Sequence, residues 1–281
     1  DRSRGSMTSY RQIADFEDRQ NEWTKSQFLT ERALFEEMMN DILVPISRGV
    51  GEVLVPQDDS KDPVLLLMAR LVNDFEASKR LILMGLGEQA YQSMRDSVET
   101  SLLLLLFQLD EKLAMRWMLD LKQYTAGNTI AQLRKYKVDY PLGEMYSMLS
   151  VLSHPNFLAS MHVVEEVKVG EDHFLRTYHF GGYRNAGFIK LQFGTLLVLM
   201  MVAVLTALPS PFAANDPEYQ NCLEKVQYWP QRLKDALGLD VELSINLVDD
   251  DATRQVALRL KLDLFTAEAV QKAHGTNADL C

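Results

Sequence analysis

Cysteine is scarce in this chain: two in 281 residues, Cys222 and Cys281. Two cysteines build neither a disulfide framework nor a zinc site, and they fit a reducing cytoplasm. No apolar h-region follows Met7, so no secretory signal is expected. Basic charge is in deficit, with 29 Lys and Arg against 39 Asp and Glu and a formal net charge of −10. That balance disfavours broad non-specific binding to nucleic acid or to an anionic membrane, while leaving room for a local basic site. There is no Gly-rich phosphate loop, no Gly-x-Ser-x-Gly and no nucleotide fingerprint. The acidic run Asp249-Asp250-Asp251 lacks the Gly and the final Glu of an EF-hand. No internal repeat and no low-complexity segment stands out, and no cofactor is expected.

Apolar residues, by contrast, make up 47% of the chain, ample for a buried core. Residues 1–6 (DRSRGS) precede the first Met and read as a vector remnant. The rest divides into an N-terminal helix and loop (7–62), a helical bundle with an inserted hairpin (63–238), and a C-terminal hairpin and tail (239–281). The organising stretch runs from Pro63 to Leu109. Its second half places Tyr91, Met94, Val98, Ser101/Leu102 and Leu105 on a helical stripe, and from Leu102 to Phe107 every residue is apolar. That end of the helix belongs in the middle of a bundle. The preceding helix shows a broad apolar face through Leu67, Leu71, Phe75 and Ile82. Gly85-Leu86-Gly87 joins the two and suits a tight antiparallel pair.

Elsewhere, Tyr10 to Val44 reads as one helix with Phe28, Leu29, Ala33, Leu34, Met38, Ile42 and Leu43 on its apolar face, ended by Pro45. Asp110 and Glu111 open a helix whose apolar face holds Leu113, Trp117, Met118, Leu121 and Tyr124. Gly127-Asn128 breaks it before a short helix from Thr129 to Tyr136. Pro141 starts a helix through Leu142, Met145, Leu149 and Leu152, and Pro155 ends it at Ser153 or His154. Alternation at Val167/Val169 and at Phe174/Arg176/Tyr178/Phe180 predicts a hairpin. Asn185 to Leu208 contains TLLVLMMVAVLTAL, too short an uninterrupted run for a membrane span and better read as a buried bundle helix. An amphipathic helix from Pro217 to Leu237 ends at Gly238. Strict alternation from Val256 to Leu264 then predicts a second hairpin with one dry face. The fold class is therefore mainly α: an up-and-down helical bundle with two peripheral β-hairpins. Long helices with apolar residues on more than one side predict a homodimer.

The polar residues with chemical potential are few. Arg95 and Glu99 sit one turn apart on the flank of the central stripe. Tyr146, Ser150 and His154 follow at four-residue spacing, with the imidazole at a helix C-terminus, where the carbonyls favour its protonated form. RNA cleavage through the 2′-hydroxyl needs a base of near-neutral pKa and a cation beside the phosphate. His154 has the first property and Arg95 the second, with Tyr146 and Ser150 as hydrogen-bond donors. The structural reading of the same residues is an Arg95–Glu99 ion pair and a helix-terminating His154, and it is the expected one. Arg before Glu is the weaker order within a helix, so each is free to reach another helix instead. His173 and His179 would share a face of the first hairpin near Glu165, Glu166 and Asp172. They lack the spacing of a known ligand set, and no metal site is expected.

The helical pair LLMARLVNDFEASKRLILMGLGEQAYQSMRDSVETSLLL, followed by MYSMLSVLSHPN and a hairpin, resembles the HEPN-like helical families, the bacterial ones in particular, over roughly residues 63 to 208. The resemblance implies a helical bundle, often dimeric, in a superfamily that includes metal-independent ribonucleases of toxin–antitoxin and phage-defence systems. Those nucleases are similar to one another in an Arg and a His on one helix, four to six residues apart. His154 matches the His, but Ser147, Met148 and Leu149 stand where the Arg belongs. The reading is thus a non-catalytic HEPN-like module, cytoplasmic and off the membrane. It acts by self-association or by binding a protein or a nucleotide-like ligand. The alternative is a ribonuclease with a rearranged site, in which Glu99, Tyr146 and Ser150 support Arg95 and His154.

Overall fold

The computed structural model describes residues 10–45, 61–119, 124–136, 141–153, 164–168, 174–178, 186–207 and 217–238. Nearly all of these are helical. In chain order come α1 (Tyr10–Gln27), α2 (Leu29–Met38), a π-helical turn (Met39–Leu43), α3 (Lys61–Leu83) and α4 (Gly87–Leu109). Then follow α5 (Glu111–Leu119), α6 (Ala126–Lys135), α7 (Pro141–Ser153), β1 (Val164–Lys168), β2 (Phe174–Tyr178), α8 (Ala186–Ala207), α9 (Pro217–Gln227) and α10 (Trp229–Leu237).

Helix α4 is the hub: it packs against α3, α7 and α8, and against the shorter α5 and α6. Its stripe is buried as the spacing predicts, and from Thr100 to Phe107 no residue reaches solvent appreciably. Burying each of these leucines contributes about 1.5–3 kcal/mol against the conformational entropy of ordering the helix. The α3–α4 reversal is set by Gly85, whose φ of 73° lies in the left-handed region. The Gly85 N–H bonds Ile82 O at 2.9 Å and the Leu86 N–H bonds Leu81 O at 2.9 Å, the paired bonds of a Schellman cap. At the other end Asp110 turns extended, and its Oδ1 accepts the Lys112 N–H at 3.1 Å, ending α4 and capping α5 in one step.

Helix α8 has a mean hydropathy of 1.9 over Ala186–Val204 and 89% of that span is buried inside the protein. By length and composition it is apolar enough to cross a membrane; here it fills the core beside α4, α3 and α2. Phe193 stacks on Phe28, ring centroids 6.1 Å apart, which ties α8 to the α1–α2 junction. The core is continuous from Phe28 to Leu237, so residues 28–43 belong to the same packing unit as the later helices. Of the two apolar runs that suggested a dimer, Leu102 to Phe107 is covered by the chain itself, and so is Leu196 to Leu208 as far as Val204, beyond which its side chains lie outside the described residues.

Three element boundaries differ from the sequence reading. The expected single helix from Tyr10 to Val44 is broken at Phe28 (φ −111°, ψ 48°) and widens into the π turn. The break rotates the register: Leu29 is 63% exposed, and Phe35 is buried in its stead. The Phe28 ring, held between Trp23 and Phe193, accounts for the break. Gly127 and Asn128 do not interrupt the chain but lie in the first turn of α6, whose N-cap Thr125 accepts the Asn128 N–H at 3.4 Å. The expected helix from Pro217 to Leu237 divides at Tyr228, because Pro230 cannot donate within a continuous helix and starts α10 instead. Gly238 ends α10 with φ 69°.

Strands β1 and β2 form an antiparallel ladder from Val164 opposite Tyr178 to Lys168 opposite Phe174. The hairpin expected from the alternation up to Leu264 lies outside the described residues.

Candidate functional site

Arg95 reaches from α4 to the C-terminal turn of α7, with Glu99 one turn further along α4. Arg95 is the better buried, with 18% of its side chain exposed against 31% for Glu99. Arg95 Nη1 donates to Ser153 Oγ at 3.4 Å, a long bond across two helices. Arg95 Nε lies 3.8 Å from Glu99 Oε1, within ion-pair range but beyond hydrogen-bonding distance, and this buried nitrogen has no hydrogen-bond partner among the described residues. The weak geometry follows from the order of the two residues, since Arg one turn before Glu points the pair away from its best alignment.

On α7, Ser153 Oγ donates to Ser150 O at 3.4 Å. The Ser150 hydroxyl itself is buried and has no partner among the described residues. Tyr146 packs partly buried against the core. Arg95 therefore meets the Ser150–Ser153 turn, while Tyr146 lies a turn further back on α7. His154, His173 and His179 lie outside the described residues. Ser153 lies off the four-residue series of Tyr146, Ser150 and His154; its three-residue spacing from Ser150 is the signal in the sequence that puts the two on one face.

Two of the three positions where the nuclease-type Arg would stand serve packing. Leu149 is fully buried and Met148 packs against the core, while Ser147 donates its hydroxyl to Gly143 O at 3.0 Å.

Two other features were not visible in the sequence. The first is a polar seam between α3 and α4. Asp74 O accepts from Ser93 Oγ at 3.0 Å and from Ser78 Oγ at 2.7 Å, and Thr100 Oγ1 lies 3.5 Å from Asp74 Oδ2. Burial pushes the Asp74 carboxyl up to about 6; the Asp96 carboxylate adds to this, and Arg70 and the Thr100 hydroxyl oppose it. The second is a cleft of ≈ 190 Å³ between the π turn and α9–α10, lined by Glu37, Asp41, Ile42, Lys225, Tyr228, Trp229 and Arg232. Arg232 hydrogen-bonds Glu37 and lies 5.4 Å over the Trp229 ring, so its charge is already engaged. Deeper in the core, the Tyr91 hydroxyl is fully buried, and that burial pushes its phenol well above the ordinary range against the opposing Gln192 amide.

No family model matches the chain, and neither a curated protein nor a solved structure does.

Proposed function

We propose that this chain is a non-catalytic HEPN-like helical module, built as a bundle with two peripheral hairpins, that works by self-association or by binding a protein or a nucleotide-like ligand. The observation that carries this reading is the use of α7. Of Ser147, Met148 and Leu149, the positions open to the nuclease-type Arg, none carries a charge; Met148 and Leu149 pack into the bundle and Ser147 bonds its own helix backbone. Among the described residues, Arg95 reaches α7 from α4 and serves as a tie to it.

The second reading is a metal-independent ribonuclease with a rearranged site. It draws on the same tie: the Arg95 guanidinium bonds Ser153, the residue next to His154 in the chain. A cation is thus delivered to the correct end of α7 from a different helix.

Self-association is the arm most open to direct measurement. With Leu102–Phe107 and Leu196–Val204 buried internally, the apolar surface that remains for it among the described residues includes the C-terminal end of α5. There Leu119 is 87% exposed and Met118 48%. Sedimentation equilibrium at micromolar concentration is expected to return a dimer mass. A monomer mass throughout that range removes self-association and leaves ligand or partner binding.

A further inference from the structure

The Arg95 guanidinium is under-coordinated for a group so largely withdrawn from water. It offers five N–H donors in a planar fork. One finds Ser153 Oγ, at 3.4 Å, and the only carboxylate paired with it among the described residues stands 3.8 Å from Nε. A structural Arg–carboxylate pair of good geometry closes to roughly 2.7–2.9 Å and is often bidentate. This one does neither. Ser150 Oγ, on the facing helix, is a second buried polar atom with no partner among the described residues. Arg95 reaches Ser153, and Ser153 in turn bonds the Ser150 carbonyl, so two buried donors without acceptors stand on facing helices one turn apart, exceptions that call for a cause.

We propose that Arg95, Ser150 and Ser153 form a subsite for one tetrahedral oxyanion group, a phosphate monoester, and that Glu99 is the internal competitor which the ligand displaces. This rests on the binding-module reading above and names the ligand class. Glu99 is more exposed than Arg95 and Ser153, so the ligand enters from its side. When the Glu99 carboxylate swings outward, Nε and Nη of Arg95 become a fork for two phosphate oxygens, and the serine hydroxyls donate to a third. Arg suits this better than Lys because its donors are fixed in a plane that matches two oxygens at once. Hydroxyls on a second helix favour a tetrahedral over a planar anion, since a carboxylate has only two oxygens to share. The chain's net charge of −10 argues that such binding is local rather than a general attraction for anions.

The test is calorimetric titration with inorganic phosphate and, in a second arm, a ribonucleoside 5′-monophosphate. It uses the full chain and the Arg95→Lys, Ser150→Ala and Glu99→Gln variants, each checked for helix content and melting temperature. Removing the internal competitor should tighten phosphate binding by roughly 3- to 10-fold in Glu99→Gln; Arg95→Lys should weaken it by about tenfold or more, and Ser150→Ala by a few fold. Equal affinity in both arms means the phosphate alone is read, and tighter mononucleotide binding means the base contributes; both support the subsite. Phosphate binding that is unchanged in folded Arg95→Lys and Ser150→Ala overturns it. So does the absence of binding at about 10 mM phosphate, an affinity weaker than any specific site warrants, in both the parent and Glu99→Gln. In that event a dimer mass by sedimentation would leave the binding-module reading standing without this subsite.

Discussion

At the scale of single residues, the Arg95–Glu99 pair shows how spacing and geometry part company. Four-residue spacing places both groups on one face, and they do face each other. Burial is incomplete, however, and the separation of 3.8 Å leaves a weak ion pair. Glu99→Ala should therefore cost at most about 1 kcal/mol, as for other solvent-screened pairs, rather than the several expected of a buried partner. Denaturant unfolding of the variant measures this. Asp74 carries the larger electrostatic signal. Its carboxyl titrates near 3.8 when unexposed to the fold and at about 6 within it. A raised carboxyl favours the fold while protonated, so its contribution is fully present below pH ~4 and is lost as pH rises toward 6. Asp74→Asn should accordingly stabilise the protein by about 1–3 kcal/mol at pH 7.5 and change little near pH 4. Equal effects at both pH values would show that the carboxyl is not shifted. Nothing in the sequence announced Asp74, because the shift comes first from burial of its carboxyl in the α3–α4 seam, with the Asp96 carboxylate on α4 adding to it.

At the scale of elements, the sequence was most legible where a strong period met a strong stop. The α3–α4 pair, the start and end of α7 and the burial of α8 follow from apolar spacing, Gly85, Pro141 and Pro155. It was least legible where a tertiary contact overrode the period. Phe28 breaks the first helix for the sake of aromatic contacts with Trp23 and with Phe193, more than 160 residues further along the chain. No local pattern encodes that. Thr125 likewise outcompetes Gly127-Asn128 as the local signal, since a capping hydroxyl fixes the first turn of α6. Two glycines separate turn chemistry from mere flexibility. Gly85 holds φ 73°, so Gly85→Ala should cost about 1–2 kcal/mol by straining the Schellman cap. Gly143 sits in α7 with nothing within 4 Å of an added Cβ, so Gly143→Ala should stabilise by about 0.5–1 kcal/mol. Thermal unfolding of the two variants should move in opposite directions.

At the scale of the molecule, the helices converge on α4, and the polar groups that matter lie on its flanks: Arg95 toward α7 with Glu99 one turn further along, Asp96 and Thr100 toward α3. The sequence made the central helix and its Arg legible. Apolar spacing also placed Leu149 on the inner stripe of α7, where it is buried; that Met148 packs against the core beside it was not legible, because Met148 lies off that stripe. That packing is the reason for reading the chain as a binding module. The most direct test is cleavage of single-stranded RNA in the presence of a chelator, measured on the parent and on His154→Ala, with melting temperatures recorded for both. Neither protein should cleave above the buffer control. An RNA-cleaving parent, together with a His154→Ala variant that folds equally well and has lost the activity, would contradict it.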